Sequence, residues 1–171
     1  MILVTDCDGI LTSPQLTYTA EGKSHKHFSV NDSLVVKLLQ STYTNQIEKI
    51  VVLTGDKEPG LSITRKRLAE IGLEMVYCPN VKKYTYIKEH FGLQNTIYFG
   101  DDIFDLPAMQ DCAWSGTVAN APLIVKTYAK FVSNYSGGEG GFTDLVLAML
   151  GIYFQVDVRR DIFNLVKEQQ L

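Results

Sequence analysis

Asp6 and Asp8 stand one residue apart at the end of the apolar run Ile2-Leu3-Val4, and Gly9 follows them. On an extended chain, side chains two apart share a face, so both carboxylates crowd together where the backbone loosens and call for a cation. A carboxylate at such a strand end can attack phosphorus and form an aspartyl-phosphate, which splits hydrolysis into two easier steps. Mg²⁺ suits that chemistry, because it takes oxygen ligands and holds one or two carboxylates together with a substrate phosphate. Asp6 and Asp101 fit as its ligands, and Asp8 is close enough to act as general acid and base. Thr54, the Gly55 amide and a lysine, Lys82 or Lys83, can hold phosphate oxygens.

Each feature also has a plainer structural reading. Asp-Gly and Thr-Gly are common turn dipeptides, Asp102 is a good helix cap, and His25 and His27 flank Lys26 as an exposed strand commonly would. What favours chemistry is that Asp6, Asp8, Thr54 and Asp101 all fall at the carboxyl ends of expected strands, where open α/β sheets bind ligands.

The elements that must carry these residues alternate. Strands are expected at Ile2–Thr5, Ile47–Leu53, Met75–Tyr77, Thr96–Phe99, Cys112–Ser115 and Phe131-Val132. Between them, helical spacing or helix signals mark a segment after Asn31 or Asp32 as cap, then Pro59–Ile71, Val81–Phe91, Leu106–Met109 and a turn after Pro122. An apolar helix at Phe142–Leu150 and an amphipathic tail at Val158–Gln169 end the chain, after the glycine-dense Ser136–Gly141 loop. Residues 13–30 read as a hairpin flap, with strands Gln15–Thr19 and Ser24–Phe28 around a turn at Ala20–Lys23. The rhythm predicts an α/β, Rossmann-like three-layer fold with a mostly parallel sheet. One domain over residues 1–171 is expected, with the flap at about 13–30 and a helical tail at about 151–171.

Composition narrows the partners. Sixteen basic and nineteen acidic residues give a net charge of −3 without a dense basic block, which disfavours nucleic acid and anionic membrane and leaves a small molecule. Cys7, Cys78 and Cys112 show no metal-ligand spacing, and their odd number argues against a disulfide framework, so a reduced cytoplasm is expected. No apolar run has the length of a membrane span, and structure is expected to begin at Met1, without a signal peptide.

Asp6-Cys-Asp8-Gly9-Ile-Leu-Thr12, Thr54-Gly55, Lys83 and Gly100-Asp101-Asp102-Ile-Phe-Asp105 together resemble, in order and spacing, the four motifs of the haloacid dehalogenase (HAD) phosphatases. Lys26–Asp32, Gly72–Tyr77 and Gly137–Gly140 extend the likeness to the cap-less branch that acts on KDO 8-phosphate and sialic-acid-type 9-phosphates. That resemblance implies Asp6 as nucleophile and metal ligand, and Asp8 as acid/base and backbone metal ligand. Asp101 becomes a further ligand, Gly9, Thr54, Gly55 and Lys83 phosphate contacts, and Asp102 and Asp105 nearby supports. It also implies Mg²⁺ and a tetramer in which a neighbouring subunit covers the site, with Tyr18 and Phe28 of the flap in the contact.

The chain departs from that branch in the shell around the centre. Asp56 follows Thr54-Gly55 where arginine is common, Thr143 stands where an arginine follows the glycine loop, and Asn31 and Ser33 replace arginine and glycine. The expected substrate is a phosphorylated sugar or sugar acid, with KDO 8-phosphate handled poorly. A nucleotide phosphatase and a non-catalytic HAD-fold binding or assembly module are the alternatives.

Overall fold

A computed structural model describes residues 1–168. β1 (Ile2–Asp6) is buried along its whole length, and Leu3 and Val4 have no exposed surface. A strand covered on both faces needs an uninterrupted apolar run, and Ile2-Leu3-Val4 supplies one. The hairpin β2 (Thr17–Thr19) and β3 (Gly22–His25) follows, then α1 (Asn31–Ser41), β4 (Lys49–Thr54), α2 (Gly60–Glu70), β5 (Glu74–Tyr77) and α3 (Lys83–His90). Next come β6 (Thr96–Phe99), α4 (Leu106–Asp111), β7 (Trp114–Thr117), α5 (Leu123–Tyr128), β8 (Phe131–Val132), α6 (Gly141–Ala148) and α7 (Val158–Lys167).

Six strands form one sheet in the order β5-β4-β1-β6-β7-β8, with every pairing parallel. The order reverses at β1. From β4 the chain winds outward to β5, then returns through α3 to β6 on the far side of β1 and winds outward again. Such a switch point opens a crevice at the carboxyl ends of β1, β4 and β6. Beneath it, Val51, Val52, Leu53, Ile97, Tyr98 and Phe99 are fully buried, and Phe99 packs edge-on against both Trp114 and Phe142 with ring centroids 6.1 Å apart. The expected α/β architecture with a hairpin is therefore present.

Several boundaries differ from expectation. The hairpin strands are shorter, because Gly22 and Lys23 join the ladder opposite Thr19 and Tyr18 instead of forming the turn. Residues after His25 turn to the body: Ser13 donates its N–H to the His27 carbonyl at 3.1 Å, and Phe28 bridges to Thr12. Neither Asn31 nor Asp32 caps α1, which begins at Asn31 after Val30. Asp32 instead turns inward and accepts a hydrogen bond from the Thr143 hydroxyl at 2.8 Å. α3 starts later than expected, since Asn80–Lys82 forms a separate 3₁₀ turn. α6 widens into a π-helical segment at Met149–Tyr153, and Gln169, the expected end of the tail, lies outside the described residues.

Candidate active site

The sheet ends bring the separated motifs together. Asp6, Asp8, Gly55, Asp56, Asp101 and Asp102 line one cleft of about 350 Å³, joined by Ser13, Pro14, Leu16 and Lys23 of the first loop and hairpin and by Asn80. A wider groove lies at the amino ends of β6 and β7, lined by Lys88, Gln94, Asp111 and Lys130, away from every one of these carboxylates.

Asp6 terminates β1 and is held from two directions. Its Oδ1 accepts the Cys7 N–H at 2.6 Å, and its Oδ2 lies 2.7 Å from the Lys83 ammonium. Lys83 is fully buried and also donates to Asp105 Oδ1 at 3.3 Å. The 3₁₀ turn before α3 leaves Lys82 exposed and rotates Lys83 inward, which resolves the two lysines by position.

Asp105 serves as the scaffold of this corner. Its Oδ1 also accepts the Tyr98 hydroxyl at 2.6 Å, while its Oδ2 accepts the backbone N–H groups of Asp101 and Asp102, each at 3.0 Å. Both oxygens are thus committed within the protein. The bond back to Asp102 is one arm of a capping box, so Asp102 does start the short helical segment Ile103–Asp105.

Charge is concentrated here. Burial raises the Asp6 carboxyl well above the usual carboxylate range against the pull of Lys83, and Asp105 adds to the rise. Asp101 is pushed up to about 8, first by burial and then by Asp6 and Asp105. Burial works against the Lys83 ammonium, yet Asp6 and Asp105 outweigh it and hold its pKa above the ordinary lysine value.

Carboxylate oxygens of Asp6, Asp101 and Asp105 lie within 4.8 Å of one another, and Asp101 Oδ1 is buried without a hydrogen-bond partner. Since Asp105 is already saturated, Asp6 and Asp101 are the two carboxylates left to a hard divalent cation, a donor set that suits Mg²⁺. Gly9, at φ +103°, keeps this corner open, because a Cβ there would collide with the Asp101 carboxylate.

Asp8 sits beside this corner, and its contacts are of a different kind. The Thr12 hydroxyl donates to its Oδ1 and the Thr54 hydroxyl to its Oδ2, both at 3.4 Å, while the Lys26 ammonium approaches Oδ1 to 2.6 Å. Thr54 Oγ1 also accepts the Asp56 N–H at 3.1 Å. The glycine loop closes over the first motif, where Gly138 donates to the Ile10 carbonyl at 3.4 Å and Gly137 to Asn120 Oδ1 at 3.1 Å. Thr143 is turned away to Asp32, whose carboxyl burial pushes up to about 6.

Several contributors were not assigned from sequence, among them Ser13, Pro14, Leu16 and Lys23 of the cleft wall. Asn80 has no local signal, since it reaches the cleft only through the turn ahead of α3. Lys26 had one: alternation along the expected strand Ser24–Phe28 sets it on the face opposite His25 and His27, and although β3 ends at His25, the Lys26 side chain is buried.

The profile of the haloacid dehalogenase-like hydrolase family matches residues 9–142. The chain is 34% identical over 173 residues to the 3-deoxy-D-manno-octulosonate 8-phosphate phosphatase KdsC of Haemophilus influenzae, covering 96% of this chain and 92% of the relative. It is 26% identical over 149 residues to the enzyme of that name from Escherichia coli K12, covering 84% and 76% respectively. The cobalt-bound structure of the H. influenzae phosphatase superposes with a TM-score of 0.73 over 87% of this chain and 86% of the other, at 34% identity.

Proposed function

The chain belongs to the haloacid dehalogenase-like hydrolase family and is a phosphatase, and from that premise we propose that it hydrolyses a small sugar or sugar-acid phosphate through a phosphoryl-Asp6 intermediate with Mg²⁺ bound. The observation that carries the reading is the Asp6 carboxylate itself, set at the switch point of the sheet between the Lys83 ammonium and the Cys7 amide and facing Asp8 and Asp101 across one cleft.

In this mechanism Asp6 attacks phosphorus while Asp8 gives its proton to the departing alkoxide. Asp8 then takes a proton from water, which attacks the phosphoryl-Asp6 and frees phosphate. Lys83, Thr54 and the amides of Gly9 and Gly55 hold the phosphoryl oxygens. Asp6, Asp101 and the Asp8 carbonyl would hold the metal, with Asp105 and Asp102 supporting them. A bound divalent cation supplies neutralisation of the phosphate charge. The cobalt-bound relative supports a divalent metal, and the hard oxygen donors favour Mg²⁺ among the candidates.

KDO 8-phosphate is the substrate named for the relatives, and it is the first compound to test. The surroundings of the cleft favour a ligand with fewer acidic groups: Thr143 offers a hydroxyl already bonded to Asp32, and Lys23 and Lys26 are both engaged by Asp56. Without a free guanidinium, binding of a substrate carboxylate loses on the order of 2–5 kcal/mol. Specificity constants over KDO 8-phosphate, neutral sugar phosphates, amino-sugar phosphates and nucleotides test this. A maximum at KDO 8-phosphate overturns the pocket reading, and a maximum at a nucleotide overturns the sugar assignment.

The chain is read as one domain whose hairpin stands in place of a cap, working as a tetramer. Of the two expected contact residues Tyr18 is 64% exposed and supports a covering subunit, with Leu16, 55% exposed, beside it, whereas Phe28 is partly buried against the protein's own core and is not free for that contact. A cytoplasmic site of action is supported by three buried free thiols.

A further inference from the structure

Lys26 is the one buried ammonium in this region that the mechanism above leaves without a task, and its side chain is only 3% exposed. It comes from the end of the hairpin, yet its ammonium meets three oxygens of the body. Asp8 Oδ1 is at 2.6 Å, Asp56 Oδ2 at 2.7 Å and the Thr64 hydroxyl of α2 at 2.7 Å. An ammonium has three donors, and this one faces as many oxygens, one hydroxyl that accepts a hydrogen bond and two carboxylates paired with it by charge. Asp56 is shared: its other oxygen lies 2.6 Å from Lys23, also of the hairpin. A Cβ on Gly60 would strike the Asp56 carboxylate and the Lys23 stem, so the start of α2 is shaped around the same cluster.

We propose that Lys26 is a positioning residue that fixes the Asp8 carboxyl for proton transfer, with Asp56 as the counter-charge that makes a buried lysine at this place tenable. The inference rests on the reading of Asp8 as general acid and base. The other contacts of Asp8 are hydroxyls at 3.4 Å, long and weak beside a charge-assisted contact at 2.6 Å. Lys26 ties down Oδ1 and with it the orientation of the carboxyl, whose Oδ2 meets the Thr54 hydroxyl. Hairpin and proton donor are thereby mechanically joined, which gives the departure at residue 56 a purpose: an arginine there would repel both lysines.

The test exploits the leaving group. A 4-nitrophenolate departs without a proton, whereas a sugar alkoxide needs one, so in kcat/KM, which ends with departure of the leaving group, misplacing the donor hurts only the second. Lys26→Met protein, saturated with Mg²⁺, is compared with the unaltered protein on 4-nitrophenyl phosphate and on the best sugar phosphate of the panel. A positioned general acid is worth roughly 10²–10⁴-fold. We therefore expect kcat/KM to fall about 30-fold or more on the sugar phosphate and less than about threefold on the aryl ester. Inhibition by inorganic phosphate should be unchanged, and Lys26→Arg should recover part of the loss. Equal losses on both esters would assign Lys26 a merely structural role, and weakened phosphate inhibition would make it a substrate contact; either overturns the proposal. Should Lys26→Met unfold, Lys26→Met with Asp56→Asn removes one stranded carboxylate and is read the same way. If the unaltered protein releases phosphate from neither ester, the phosphatase mechanism itself fails and takes this inference with it.

Discussion

At the scale of single residues, the corner around Asp6 is a set of carboxylates held by one buried ammonium and waiting for more positive charge. Asp101, raised from 3.8 to about 8, and Asp32, raised to about 6, bind protons more tightly folded than unfolded, and Asp6 shifts the same way. Their contributions to stability are present below the unfolded pKa and are lost as pH rises through the folded values. Asp56, lowered, acts in the opposite sense only below the ordinary carboxylate range. Chelator-treated protein should therefore lose Tm between about pH 5 and 8, and the Tm increment from added Mg²⁺ should grow over that interval as protons are released from the ligands. A metal increment independent of pH would contradict the cluster as described. Asp6→Asn should abolish turnover, by more than about 10³-fold, with far-UV circular dichroism unchanged, because an amide is no nucleophile toward phosphorus.

At the scale of elements, what positions the chemistry is the switch point at β1, flanked by β4 and β6. Gly9→Ala should displace Asp101 and weaken Mg²⁺ binding measured by calorimetry, since the glycine combines positive φ with a contact no Cβ fits. The parallel sheet was legible in the sequence because its central strands are continuous apolar runs bounded by Thr54-Gly55 and Gly100-Asp101. The convergence of the aspartates followed from their place at strand ends. Other features were not legible, for physical reasons. Asp32 looks like a helix cap, but its capping contact loses to a tertiary bond from Thr143, 111 positions away. The choice of Lys83 over Lys82 came from the motif pattern alone, since the 3₁₀ turn that gives way to a helix between them has no mark in composition. The inward turn of Lys26 could be read, but its task could not, because its partners Asp8, Asp56 and Thr64 meet it only in the fold.

At the scale of the whole molecule, no single helix among the described residues is long and apolar enough to cross a membrane, and the first loop and the two-stranded hairpin contribute Ser13, Pro14, Leu16 and Lys23 to the cleft wall. Such a hairpin is marginal alone, so it needs the ion pairs to Asp56 and Asp8, a neighbouring subunit, or both. Light scattering at micromolar concentration should give a tetramer, and Tyr18→Asp should shift it toward monomer while lowering activity; a fully active monomer would refute the shared site. The proposed hydrolysis turns on covalent chemistry at one carboxylate. Asp8→Asn protein given 4-nitrophenyl phosphate and Mg²⁺ forms the intermediate without needing the acid and then lacks the base to clear it. Acid-quenched and digested for mass spectrometry, it should carry a phosphoryl group on the peptide containing Asp6, and Asp6→Asn protein should carry none. Phosphoryl label on any other residue, or phosphate release by the Asp6→Asn variant at the unaltered rate, would contradict the mechanism.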